Sequence, residues 1–187
     1  MKCLADRNKV HNLAVKRMQS IIKDTSKFTT AVTVYILFND FKWKTERVRD
    51  FLRRYDKYSD MIVQTKYNTL PYDDRPKEGW TFEEYAGMCN EVFKEDGVER
   101  YKIKNSRIKS KNLVIQRTEM LQDYCLMWTL DVILTTLQDK FGWHSAMCNK
   151  FSKCYDNAIP LLDDFETAYK GIIRELDQRF GFVLEIH

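Results

Sequence analysis

The pattern Arg-x-Lys-x-x-Asn-Leu-x-x-x-Arg occurs twice in this chain, at 7–17 and again at 107–117. The first copy holds Arg7, Lys9, Lys16 and Arg17. The second holds Arg107, Lys109, Lys111 and Arg117, and follows directly on Arg100, Lys102 and Lys104. Positions i, i+2, i+5 and i+10 of a helix spread over a broad polar face. Lysine and arginine on such a face pair with phosphates, and affinity gained that way falls with salt. Leu13 and Leu113, inside each pattern, are expected to point to the core. A second charged surface has the opposite sign. Residues 73–99 carry nine acids against Arg75, Lys77 and Lys94, a local −6, with Glu83, Glu84, Glu91 and Glu95 at helical spacing. These carboxylates would suit a basic partner, including the nucleic-acid channel of another protein. The plain alternative is that basic and acidic faces compensate one another within the fold.

Residue types that break covalent bonds are present without the arrangement that would let them. There is no phosphate-cradling G-x-x-x-x-G-K-[ST], dinucleotide G-x-G-x-x-G, zinc-binding H-E-x-x-H or nucleophile-elbow G-x-S-x-G. Of the three histidines, His11, His144 and His187, none has a Cys, His or carboxylate at metal-ligand spacing. Cys148 and Cys154 lie on an apolar stripe, where a thiol ordinarily acts as a small packed hydrophobe. Trp43 and Trp143 stand at matching places just after a turn. Packing at a helix corner is expected of them, with stacking on a base as the alternative. The expectation is a binding protein rather than an enzyme, with no cofactor and no metal.

Composition points to a folded globule. Of 187 residues 44% are hydrophobic and 13% aromatic, with three prolines and six glycines. No run approaches the ~18 apolar residues of a membrane span, and the first residues are charged too early for a signal peptide. Five cysteines, an odd number with no C-x-x-C, are expected to be reduced thiols in a bacterial cytoplasm. The net charge of +4 is unevenly placed: residues 100–117 hold seven bases and no acid, and residues 1–30 hold seven bases against Asp6 and Asp24.

The elements that carry these residues follow from a repeat. At an offset of 100, Arg7, Lys9, Asn12, Leu13 and Arg17 match Arg107, Lys109, Asn112, Leu113 and Arg117. Leu37, Phe41, Trp43, Phe51, Tyr55 and Asp56 match Leu137, Phe141, Trp143, Phe151, Tyr155 and Asp156. At an offset of 84, Tyr85, Gly87, Glu91 and Gly97 match Tyr169, Gly171, Glu175 and Gly181; the difference, 100 − 84 = 16, is an insertion in the first copy. Residues 1–99 and 100–187 therefore read as a tandem duplication of one unit, all-α, with about four helices per copy. The insertion, about 60–80, is expected to be a loop. Ala31–Leu37 has strand propensity, but its partner 131–137 has helical spacing, which predicts helix over 30–41. Ser145 is the expected N-cap of one helix and Asp163 or Asp164 of the next. Gly181 is expected to close the last helix, and Gly171 to mark a close helix crossing. Lys42 stands where the second copy has Gly142, so the first turn is expected to differ in shape.

The segment Leu137-Gln138-Asp139-Lys140-Phe141-Gly142-Trp143, then Lys150-Phe151, Tyr155-Asp156 and Phe180-Gly181-Phe182, resembles a group of short phage and prophage proteins of Gram-positive bacteria. Their pattern runs approximately L-H-D-x-F-G-F-G, an amphipathic helix, and a closing helix that ends in Gly and an aliphatic residue. Leu37-Phe38-Asn39-Asp40-Phe41-Lys42-Trp43 is similar to a diverged second example. The histidine common in that group is Gln138 here and Phe38 in the first copy. The resemblance implies a mobile-element origin, and with it binding to DNA or interference with host defence. The expected function is a non-catalytic interaction protein that occupies a nucleic acid, or a host nuclease or other nucleic-acid-handling protein, in the manner of an anti-CRISPR inhibitor. The alternative is a DNA-binding regulator or packaging accessory built on helix-turn-helix-like units.

Overall fold

The computed structural model describes residues 2–69 and 113–184. Among these the chain is all-α, with helices α1 (Lys2–Asn39), α2 (Thr45–Thr69), α3 (Leu113–Phe141), α4 (Ser145–Ala158) and α5 (Phe165–Phe180), and a 3-10 helix, Ile159–Asp164, between the last two. No described helix is long and apolar enough to cross a membrane.

Two helices form the spine. α1 packs along α3, α2 lies on α3, and α4 and α5 lie on α1. Neighbours on several sides require apolar residues around much of the circumference. The last third of α1 meets that demand: Phe28, Ala31, Val32, Val34, Ile36, Leu37 and Phe38 are all buried, as are Leu126, Leu130, Val132, Ile133 and Leu137 on α3. This is why Ala31–Leu37 reads like a strand and is nonetheless helix: the continuous apolar run belongs to a central helix, not to a pleated face. α1 also absorbs the basic segment at 7–17, because no Gly or Pro interrupts residues 2–39. Three buried threonines bond back to their helix: the Thr129 hydroxyl donates to the Cys125 carbonyl (2.6 Å), Thr136 to Val132 (2.8 Å) and Thr29 to Ser26 (2.9 Å), whereas the buried Thr25 and Thr33 hydroxyls find no partner among the described residues.

Several expectations are corrected. The insertion does not begin as a loop, since α2 runs without a break to Thr69; residues 70–80 lie outside the described part. Leu13 does not point to the core but is 61% exposed, and the described buried face of α1 starts at Met18. The N-cap of α4 is His144, one residue before Ser145, with no side-chain bond to the helix. Asp164 does precede α5, again without a capping bond. Gly171 marks no close crossing, because a Cβ added there would meet nothing within 4 Å. Gly87, its match, lies outside the described residues.

Candidate nucleic-acid interface

Two turns meet at one corner of the molecule and position everything described below. Each ends a spine helix with a residue of positive φ, Lys42 at 54° and Gly142 at 65°. In each, the next amide folds back to a helix carbonyl six residues earlier: Trp43 donates to Leu37 (3.0 Å) and Trp143 to Leu137 (3.2 Å). The closure is related to the left-handed C-cap that glycine favours. Gly181 repeats it at the end of α5, with Phe182 donating to Leu176 at 3.0 Å. The two spine turns thus share the left-handed residue and the six-residue closure but, as expected, differ just before it: α1 ends at Asn39 with Asp40 and Phe41 both donating to Ile36, whereas α3 runs to Phe141 and Gly142 donates to Gln138. Lys42 accepts a conformation that costs an L-residue roughly 1–2 kcal/mol, because Trp43 and Leu37 are buried on either side of it.

The turns drive four rings together. Trp43 and Trp143 sit edge to face, 5.7 Å apart at 89°. Phe41 packs on Trp143 (4.5 Å) and Phe141 on Trp43 (5.1 Å). Phe41 also meets Phe151, and Phe141 meets Phe51, each at 6.2 Å. Beyond them Phe51 stacks on Tyr55 and Phe151 on Tyr155. Every one of these pairings has a counterpart one hundred residues along. The tryptophans are 7% and 4% exposed, so their faces are spent on packing and offer no platform for a base.

Cations surround this corner. The Arg47 guanidinium lies 4.3 Å from the Trp43 ring centre, Arg54 lies 5.9 Å from Phe141, and the Lys150 ammonium 4.9 Å from Phe41 while donating to the Asp40 carbonyl. From the turn into α2, Lys42, Lys44, Arg47, Arg49, Arg53, Arg54 and Lys57 are all exposed. Asp50 accepts from Arg54 (2.8 Å) and Arg53 (3.3 Å). Such exposed pairs are worth about 0–1 kcal/mol and exchange readily for another anion. Lys42, Lys44, Arg47, Arg49 and Lys57 make no ion pair with a described residue, and neither do Lys16, Arg17 and Lys23 on α1.

The sequence-predicted binding residues fall unevenly. Lys16 and Arg17 are exposed on α1. Arg7 and Lys9 lie on the same helix, and Arg117 on α3. Arg100, Lys102, Lys104, Arg107, Lys109 and Lys111, and the acidic set Glu83, Glu84, Glu91 and Glu95, lie outside the described residues. The cations of α2 were missed. Their signal is in the sequence: residues 42–57 hold seven bases against Glu46, Asp50 and Asp56, 7 − 3 = +4. It is masked by acids interleaved at a spacing that looks compensated until helix geometry separates the rows.

The remaining reactive groups are packed rather than poised. Burial pushes the Cys148 and Cys154 thiols up, away from the reactive thiolate. His144 is exposed. Tyr55 and Tyr155 are buried, and desolvation raises both phenols well above their ordinary value, with Asp56 adding to the effect at Tyr55 and Tyr55 itself at Tyr155. Tyr55 faces Thr129 and Tyr155 faces Thr29, although the Tyr155 hydroxyl closes no well-formed hydrogen bond. Among the described residues no cluster of His, Cys, Asp or Glu has the form of a metal site. Comparisons with protein-family profiles, with curated proteins and with solved structures return no match to this chain.

Proposed function

We propose that this chain is a non-catalytic protein of a phage or prophage that binds the phosphate backbone of nucleic acid, free or held by a host nuclease, and so acts as an anti-CRISPR-like inhibitor. One observation carries the reading: Lys16, Arg17 and Lys23 on α1, and Lys42, Lys44, Arg47, Arg49 and Lys57 at α2, are exposed and have no acidic partner among the described residues. Unpaired cations held on rigid helices lose little entropy when a polyanion replaces their counterions. Burial of both tryptophans favours contact with phosphate over stacking on bases.

The same reading includes a tandem duplication. The matched turns, the mirrored ring pairings and the Tyr55–Thr129 and Tyr155–Thr29 pairs are what two copies of one unit would make if they met about a two-fold axis through Trp43 and Trp143. The test of function is titration with DNA over a range of salt. Log affinity should fall linearly with log salt, and reversing Lys16, Arg17, Lys102, Lys104, Arg107 and Lys109 to glutamate should flatten the slope. Salt-independent binding, or none to DNA or to a nuclease–nucleic acid complex, overturns it. Loss of binding only when Glu83, Glu84, Glu91 and Glu95 become lysine would assign the interaction to the acidic surface instead.

A further inference from the structure

Helices α2 and α4 follow matching turns and pack in matching ways, α2 on α3 and α4 on α1. Their buried residues also match, Val48, Phe51 and Tyr55 with Cys148, Phe151 and Tyr155. Their exposed faces do not. Arg47, Arg49, Arg54 and Lys57 match Met147, Asn149, Cys154 and Asn157 in the sequence; of the five cations from Arg47 to Lys57 only Arg53 keeps a cationic counterpart, Lys153. Residues 42–57 sum to +4, whereas 142–157 hold Lys150, Lys153 and Asp156, 2 − 1 = +1. The shared fold therefore does without the α2 cations, since α4 occupies the equivalent place in their absence. Arg47 and Arg54 still lie over the Trp43 and Phe141 rings; the outer row, Arg49, Arg53 and Lys57, answers to something outside the fold.

Arg49, Arg53 and Lys57 lie at i, i+4 and i+8, one stripe of α2, with about 6 Å of helix rise between successive members. That step is commensurate with neighbouring phosphates along a single strand. The stripe borders a groove of about 730 Å³ between α2 and residues 181–184, lined by Glu46, Arg49, Leu52, Arg53, Phe182 and Leu184 among others. Arg49 stands 6.0 Å from the Phe182 ring centre. Guanidinium groups above an apolar floor suit a sugar-phosphate backbone, which has a charged edge and an apolar one. The two halves match in their turns and ring pairings, but among the described residues this surface exists once.

Resting on the nucleic-acid reading above, we infer that the Arg49/Arg53/Lys57 stripe of α2 grips consecutive phosphates of one nucleic-acid strand, and that the matched face of α4 takes no part. The strand belongs to single-stranded nucleic acid or to one edge of a duplex. The experiment titrates the full chain with a labelled single-stranded oligonucleotide and with the corresponding duplex at several salt concentrations. The test variant, Arg49→Asn with Lys57→Asn, takes residues already present on α4. The control, Lys153→Asn with Arg174→Gln, removes the same charge from exposed sites in the second half. The test variant should bind at least tenfold more weakly. Its salt slope should fall by about 1.8 on duplex or about 1.4 on single strands, roughly 0.9 or 0.7 for each phosphate that is no longer neutralised. The expected drop on one form, with no drop on the other, identifies which form the stripe grips. The control should match wild type, and both variants should keep the wild-type thermal midpoint. Equal weakening in test and control, or none in the test variant, overturns the assignment while leaving nucleic-acid binding intact. A wild type that binds neither oligonucleotide overturns the broader reading as well.

Discussion

At the scale of single residues, Lys42 and the two buried tyrosines hold the clearest consequences. Lys42 spends its stability on a left-handed φ of 54° that Gly142 adopts without strain. Lys42→Gly should therefore stabilise the protein by about 1 kcal/mol, and Gly142→Ala should destabilise it by a similar amount, both read as shifts in chemical denaturation. A Lys42→Gly variant no more stable than wild type would mean that the lysine makes a compensating interaction. The tyrosines govern the alkaline limit. Their folded-state values lie above the unfolded value of about 10. Their contribution is thus fully present below about pH 10 and is lost as pH rises from there toward the folded values. Stability measured against pH should fall steadily above about pH 10, and Tyr55→Phe with Tyr155→Phe should flatten that limb. At neutral pH Tyr155→Phe alone should be nearly neutral, because the hydroxyl it removes is buried without a well-formed hydrogen bond. Phe151→Ala is a different case. The ring is fully buried, and its removal should cost about 3 kcal/mol.

At the scale of elements, the peripheral and central helices obey different rules. α2, α4 and α5 are amphipathic, so their apolar stripes announce them in the sequence. α1 and α3 are apolar around much of their circumference where neighbours enclose them, and there periodicity loses its meaning. α5 carries one weakness, Gly171, in the middle of a helix with open space where a Cβ would go. Glycine there costs ~1 kcal/mol relative to alanine. Gly171→Ala should raise the denaturation midpoint by a corresponding amount, whereas a close crossing would make the same change destabilising. The exposed ion pairs Glu166–Lys170 and Glu175–Arg179 brace the helix on either side of that glycine. The Arg179 guanidinium also reaches Tyr35 and Asn39, fastening α5 to α1.

At the scale of the whole molecule, the core is a single cluster to which both halves contribute, with α2 seated on the spine helix of the second half and α4 on that of the first. Mirrored ring pairs should then carry matched energies. A double-mutant cycle on Phe41→Leu and Trp143→Leu, and its counterpart on Phe141→Leu and Trp43→Leu, should each give a coupling of about 0.5–1.5 kcal/mol, the range for an aromatic pair. Urea denaturation of wild type and the variants of both cycles supplies the two numbers. Couplings that differ by more than their errors would show that the corner is symmetric in position but not in energetics. Since each half completes the other's core, unfolding should also be a single cooperative transition rather than two.

The all-α class, the helix over Ala31–Leu37, the end of α5 at Gly181 and the packing role of the paired tryptophans were legible in the sequence. Each rests on a local rule of spacing or turn chemistry that matched residues state twice. Tertiary structure alone decided the rest. It forced Lys42 into the conformation of a glycine, because burial of Trp43 and Leu37 outweighs the local strain. It carried α2 through to Thr69 where composition had indicated a loop, left Leu13 exposed although its spacing matched a core position, and kept Gly171 open where recurrence had implied a crossing. It also set the α2 cations in rows on an exposed face. Sequence spacing states which side chains share a stripe. Which stripe is covered, and by what, depends on neighbours distant in the chain.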